Sequence, residues 1–299
     1  MRVAVTGASG FIGSALATQL EDGGDTVARV VRAQGAAGRD TVYWNPTGGE
    51  IDAARLEGVD AAVHLAGENI MGRWTRAKKQ RLYRSRVEGT RLLCEALAGL
   101  ERPPSVLVSA SAIGYYGDRR DEVLTESSPP GDSFLAEVCQ DWETATEPAE
   151  AAGIRVVHLR IGLVLDTRGG ALAKMLPLFR LGLGGPVGNG RQYVSWIVLS
   201  DLVGAIRHCV ANEQVRGAVN GVAPESVMNR DFARALGRAV RRPACMPAPA
   251  FALKLAMGEM ADELLFASAR VRPEALIDAG FPFGYPELAP ALQQLVAQK

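Results

Sequence analysis

Between Val3 and Gly13 the chain reads Val-Ala-Val-Thr-Gly-Ala-Ser-Gly-Phe-Ile-Gly, an apolar run that enters three evenly spaced glycines. It continues as an apolar, helix-compatible segment from Phe11 to Leu20. Strand, tight turn and helix start in that order place free backbone N–H groups and the positive end of a helix dipole where a pyrophosphate can sit. On this reading Gly7 permits the sharp turn, Gly10 the close approach of phosphate, and Gly13 the packing of helix on sheet. Glycines also occur in strand-to-helix turns for conformational reasons alone. The position directly behind a buried-type strand is what favours a dinucleotide site.

The rest of the chain supplies the sheet such a turn requires. Thr26 to Val31 is a β-branched strand, and Asp60 to Leu65 is a strand running into Ala66-Gly67. Trp74 to Leu100 has helical spacing, Ser105 to Ser109 is a buried strand, about Leu135 to Ala152 a helix, and Ile154 to Ile161 a strand. Strands alternating with long helices imply crossover units, so the predicted class is α/β, a Rossmann-type doubly wound parallel sheet. Beyond about Asp166 glycines crowd residues 169–190 and prolines cluster from Pro243 to Pro249. A smaller, substrate-side C-terminal unit of helices and loops is therefore expected. The nucleotide-binding domain takes 1–165, with 192–222 returning to it; the smaller domain takes 166–191 and 223–299.

Charge narrows the partners. Lys plus Arg and Asp plus Glu each number 33, with no basic block to attract nucleic acid or an anionic membrane. No apolar run is long enough to span a bilayer, and the first strand begins at residue 2, which argues against a signal peptide. The four cysteines lie far apart without a Cys-x-x-Cys pair and the three histidines are dispersed. A reduced cytoplasmic setting, no metal site and a small-molecule substrate are the expectation; an oligomer is left open.

The end of the second strand bears on the cofactor. NAD sites place an acidic residue there for the ribose hydroxyls. This chain reads Val30-Val31-Arg32, with no acid until Asp40. Arg32 suits the 2′-phosphate of NADP, for which a guanidinium fork is well shaped. The alternative is an ordinary solvated arginine, and NAD remains the second choice.

Thr6-Gly-Ala-Ser-Gly-Phe-Ile-Gly13 resembles the opening of the extended short-chain dehydrogenase/reductase superfamily. His64-Leu-Ala-Gly-Glu-Asn69, Ser85-Arg-Val-Glu-Gly-Thr90, Leu181-Gly-Leu-Gly-Gly-Pro186, Ser195-Trp-Ile197, Asn220-Gly-Val-Ala-Pro224 and the Arg272-Pro273 to Gly280-Phe281 pattern are similar to its atypical branch, the epimerase family proteins. The resemblance covers essentially the whole chain. It implies NADP on a Rossmann fold and a short C-terminal domain of unassigned role. It further implies cofactor roles for Gly7, Ser9, Gly10, Phe11, Ile12 and Gly13, for Arg32, for Leu65, Ala66 and Gly67, for Arg86, for Ser109 and for Val164 beside the nicotinamide. Core packing is the alternative for Leu65 and Val164, and a solvated helix position for Arg86.

The catalytic pattern departs from the superfamily. Such enzymes carry a tyrosine as acid/base and, four residues on, a lysine that lowers its pKa. Anchoring on Glu143 puts Leu135 and Cys139 in those places, and no Tyr-x-x-x-Lys occurs anywhere in the chain. The general acid/base is thus unassigned, with Ser111 and Tyr116 as candidates and packing as the alternative for each. Glu68 and Asn69, after the Asp60–Leu65 strand, face substrate or else cap a helix. Trp196 follows a glycine loop that suits a substrate lid. His64, His158 and His208 sit in apolar surroundings as core or helix-face residues. Two readings stay open: an NADP-dependent oxidoreductase or epimerase acting on a small polar, sugar-nucleotide-like molecule, and a catalytically silent NADP-binding sensor or scaffold.

Overall fold

The computed structural model describes residues 1–32 and 40–297. Six strands open the chain: β1 (Arg2–Thr6), β2 (Thr26–Val31), β3 (Thr41–Asn45), β4 (Glu50–Ile51), β5 (Ala61–His64) and β6 (Val106–Ala112). With the strands Arg155–Ile161 and Gly217–Gly221 they form one eight-stranded sheet. Its spatial order is Gly217–Gly221, Arg155–Ile161, β6, β5, β1, β2, β3, β4. Every adjacent pair is parallel except β3 with β4, which closes the edge as an antiparallel hairpin strand.

Both faces of the sheet are buried, and the two-residue repeat of the strands sorts side chains between them. Val3, Val5, Val63, Val108, Val157 and Leu159 face α1 (Phe11–Asp22) and helix Leu199–Ala211, whose Leu16, Leu20, Leu202 and Ile206 complete that core. Ala4, Ala28, Ala62, Leu107 and Val156 face the other way, toward Leu93, Cys94 and Leu97 of α2 (Arg76–Ala98). The α2 helix begins where Thr75 accepts a hydrogen bond from the Lys78 amide.

One predicted element divides. The helix expected from about Leu135 to Ala152 is two helices, α3 (Phe134–Thr144) and α4 (Glu147–Ala151). Thr146 turns its hydroxyl back to the Glu143 carbonyl at 2.7 Å, and Pro148, which lacks an N–H, sits in the first turn of α4.

After the Arg155–Ile161 strand the chain also forms short strand pairs and helices outside the main sheet. Leu163–Asp166 pairs in parallel with Trp196–Val198, and Tyr193–Val194 pairs antiparallel with Val227–Met228. Helices Asn229–Ala239 and Leu288–Ala297 pack together around Phe232, Leu236, Leu292 and Leu295. Among the described residues no helix is long and apolar enough to cross a membrane.

Candidate cofactor and active site

The glycine turn leaves β1 at Thr6. Gly7 has φ +66°, a left-handed conformation, and a Cβ there would lie 3.0 Å from the Ala66 nitrogen. The Gly10 amide closes the turn on the Gly7 carbonyl at 2.8 Å. A Cβ on Gly13 would come within 2.2 Å of that same carbonyl oxygen, so the third glycine lets α1 close on its own turn rather than on the sheet. No side chain caps the first turn of α1, and that turn holds no acid. Ser9 and Gly10 are exposed beside it. The amide-rich, uncapped, open helix start is chemically suited to a diphosphate.

Around the turn lie the apolar positions singled out by sequence. Phe11, Ile12, Leu65 and Val164 are all half-buried and pack on the edge of one core cluster. Phe11 packs against Gly169 and Gly170, where a Cβ on Gly169 would stand 2.6 Å from its ring. Sequence reading took those glycines only as loosened structure. Arg32 is exposed just beyond β2, two residues past Val30, which pairs with Thr6. Among the described residues it makes no ion pair.

Beneath Leu65 and Ala66 a buried polar chain joins four elements. Thr6 Oγ1 accepts from the Leu65 amide at 3.0 Å and the Ala66 amide at 3.1 Å, and lies 2.7 Å from His64 Nδ1. His64 Nε2 is 2.9 Å from Thr90 Oγ1 on α2, which also accepts from the indole N–H of Trp142 on α3 at 2.8 Å. Burial, with the nearby Arg86 guanidinium, pushes the His64 pKa down to about 4. Arg86 donates to the carbonyls of Glu68 and Leu82 and stacks over Trp142 with its Cζ 5.1 Å from the ring centre. Gly67 lies against that guanidinium, a Cβ there standing 3.4 Å from Cζ. Thr90 and Trp142 escaped the sequence reading because an isolated threonine and tryptophan on helices carry no local signal.

Glu68 is held by two basic side chains of α2. Its carboxylate accepts from Lys78 at 2.8 Å and from Arg81 at 3.4 Å, and the Lys78 bond holds its pKa below the ordinary value. Asn69 accepts from the Met71 amide, a local turn of the capping type. Trp196 is wholly buried among Leu165, Leu172 and Leu176, which puts its ring in the core instead of at a substrate.

At the end of β6 the two candidate acid/base side chains are held in one buried network. Ser111 donates to Glu143 Oε1 at 2.7 Å. Arg160, from the neighbouring strand, donates from Nε and Nη2 to Glu143 at 2.8 Å each and from Nη1 to Tyr116 Oη at 3.0 Å. Tyr116 in turn donates to Asn220 Oδ1 at 2.8 Å and is fully buried. Burial raises its pKa despite Arg160, the opposite of what an acid/base at neutral pH needs. Tyr116 is therefore a packed, hydrogen-bonded core residue, not a group facing the crevice. Ser109 is buried one step down the same strand face. On α3, Leu135 and Cys139, the positions selected by anchoring on Glu143, are buried, and burial pushes the Cys139 thiol up to about 12. Arg160 carried no role in the sequence reading and Glu143 served there only as an anchor for the α3 positions, since only the fold brings the two together.

Comparison with known proteins agrees with this architecture. A model of the NAD dependent epimerase/dehydratase family matches residues 3–221, and one for a domain of unknown function, DUF1731, matches 248–295. The chain is 45% identical over 291 residues to epimerase family protein Mb2239 of Mycobacterium bovis, covering 97% of this chain and 96% of that one. It is 38% identical to the human epimerase family protein SDR39U1, covering 99% of this chain and all of the relative. The crystal structure of human SDR39U1 (isoform 2) with NADPH superposes with a TM-score of 0.92 at 36% identity, over the full length of both chains. A UDP-glucose and NAD complex of MoeE5, 21% identical with a TM-score of 0.76 over 99% of this chain and 98% of that one, shares the fold.

Proposed function

This chain belongs to the NAD dependent epimerase/dehydratase family, and from that premise we propose that it is an NADP-dependent oxidoreductase or epimerase acting on a small polar substrate. Sugar nucleotides are the substrate class to test first. The observation that carries the cofactor choice is Arg32. It is an exposed guanidinium at the end of β2, unpaired among the described residues, where an NAD site would hold an acid. The NADPH complex of the human relative supports the same choice. The turn amides around Gly10 and the α1 start hold the diphosphate, Arg32 the 2′-phosphate, and Leu65, Ala66 and Val164 the apolar walls. Bound NADP supplies or accepts the hydride; the chain excludes water from it and orients the substrate.

A second reading rests on Leu135 and Cys139. On this reading a leucine and a buried cysteine stand where the superfamily carries its acid/base pair, and the protein acts as an NADP-binding sensor that has lost turnover. Two assays separate the readings. Purified protein is incubated with NADPH and a panel of carbonyl compounds, following the loss of NADPH absorbance, and with NADP and sugar nucleotides, reading product stereochemistry by NMR. Turnover in either supports the enzyme; silence across both, with NADPH still bound, supports the sensor.

A further inference from the structure

Hydrogen-bond accounting fixes more about His64 than its burial does. A hydroxyl oxygen has two lone pairs and one hydrogen. Thr6 Oγ1 receives the Leu65 and Ala66 amides, so both lone pairs are taken and its hydrogen is left for His64 Nδ1. Nδ1 must then be the bare acceptor. The ring hydrogen sits on Nε2 and is donated to Thr90 Oγ1, beside the indole hydrogen of Trp142. The alternative tautomer would set two hydrogens against each other at the 2.7 Å contact with Thr6. Only this order keeps Thr6 Oγ1 within its two lone pairs; the Thr90 hydroxyl, accepting from both N–H groups, has no acceptor for its own hydrogen among the described residues.

That order joins two parts of the crevice floor. At one end are the Leu65 and Ala66 amides, directly against the Gly7 turn. At the other is Trp142, whose ring carries the Arg86 guanidinium. Arg86 is half-buried and donates to the main-chain carbonyls of Glu68 and Leu82, and the Trp142 indole face packs on the same guanidinium. We infer that His64, as the Nε2–H tautomer, and Thr90 are positioning residues that hold the Leu65–Ala66 backbone and, through Trp142, Arg86 in register for the dinucleotide. This rests on the cofactor reading above for its ligand, but the tautomer does not.

Two measurements test it. The first is the ring-nitrogen NMR spectrum of ¹⁵N-histidine-labelled protein at neutral pH, with His64 identified by its loss in His64→Gln. The expected signal is a neutral ring protonated at Nε2, and a ring protonated at Nδ1 overturns the inference. The second is NADPH affinity by fluorescence. Thr90→Val keeps the shape but removes the acceptor for both N–H groups, and weakens NADPH about tenfold, the size of a lost buried hydrogen bond. Thr90→Ser restores the acceptor and the affinity. Unfolding of the cofactor-free variants checks that the loss is not a folding failure. Thr90→Val binding NADPH like the parent, with the Nε2–H signal intact, overturns the positioning role. If the parent protein itself binds no NADPH, the cofactor reading has failed and the tautomer spectrum alone judges the proton order.

Discussion

Arg160 donates two parallel hydrogen bonds of 2.8 Å to Glu143, tying the strand Arg155–Ile161 to the last turn of α3. Both side chains are largely shielded from solvent, and the guanidinium also lies 3.5 Å from the centre of the Tyr115 ring. Burial works against the charge on Arg160, but the bonds to Glu143 and its negative charge outweigh it, so Arg160 stays protonated. Arg160→Met leaves Glu143 an unpaired carboxylate with only Ser111 as donor, and should destabilise the protein by about 3–5 kcal/mol. Urea unfolding checks this; a loss near that of an exposed ion pair would contradict it.

Tyr116→Phe removes the donor to Asn220 and the acceptor for Arg160. Two buried polar groups are left short, a loss of about 1–3 kcal/mol. NADPH affinity should be unchanged, because the phenol faces the core; a fall in affinity without a fall in stability would return Tyr116 to the site.

The depressed pKa of His64 makes stability depend on pH. The unfolded imidazole takes a proton near 6.5, whereas the folded one resists until about 4. Its contribution is therefore complete above 6.5 and is lost as pH falls toward 4, about 3 kcal/mol in all. His158, likewise lowered chiefly by burial, adds in the same direction. Unfolding free energies between pH 4 and 7 should fall less steeply in His64→Gln than in the parent protein. Parallel curves would show that His64 is not buried neutral.

Gly13→Ala sets a methyl 2.2 Å from the Gly7 carbonyl oxygen, so the turn must open. NADPH affinity should drop by tenfold or more, roughly 1.4 kcal/mol at the least. Gly24→Ala, at a site with open space but positive φ, should lower stability and leave NADPH binding alone.

The sheet and the glycine turn were legible because they depend on local pattern. Val3 to Gly13 carries its strand, turn and helix start in consecutive residues, and buried parallel strands read as short apolar runs. The break between α3 and α4 was legible in Pro148, which disfavours a helix interior, but the sequence reading ran one helix through it. The acid/base region was less so. Ser111, Glu143, Arg160, Tyr116 and Asn220 come from five separate places in the chain and meet only through the register of β6, Arg155–Ile161 and Gly217–Gly221. Trp196 misled because its neighbours form a glycine loop, while its own strand pairs with Leu163–Asp166 and turns the ring inward.

The central claim is that this crevice holds NADP by Arg32. Titration of the parent protein and of Arg32→Ala with NADPH and with NADH measures it directly. The parent should bind NADPH the more tightly, and Arg32→Ala should lose that preference while keeping its NADH affinity. Equal binding of the two nucleotides by the parent, or equal weakening of both by the substitution, would contradict the claim.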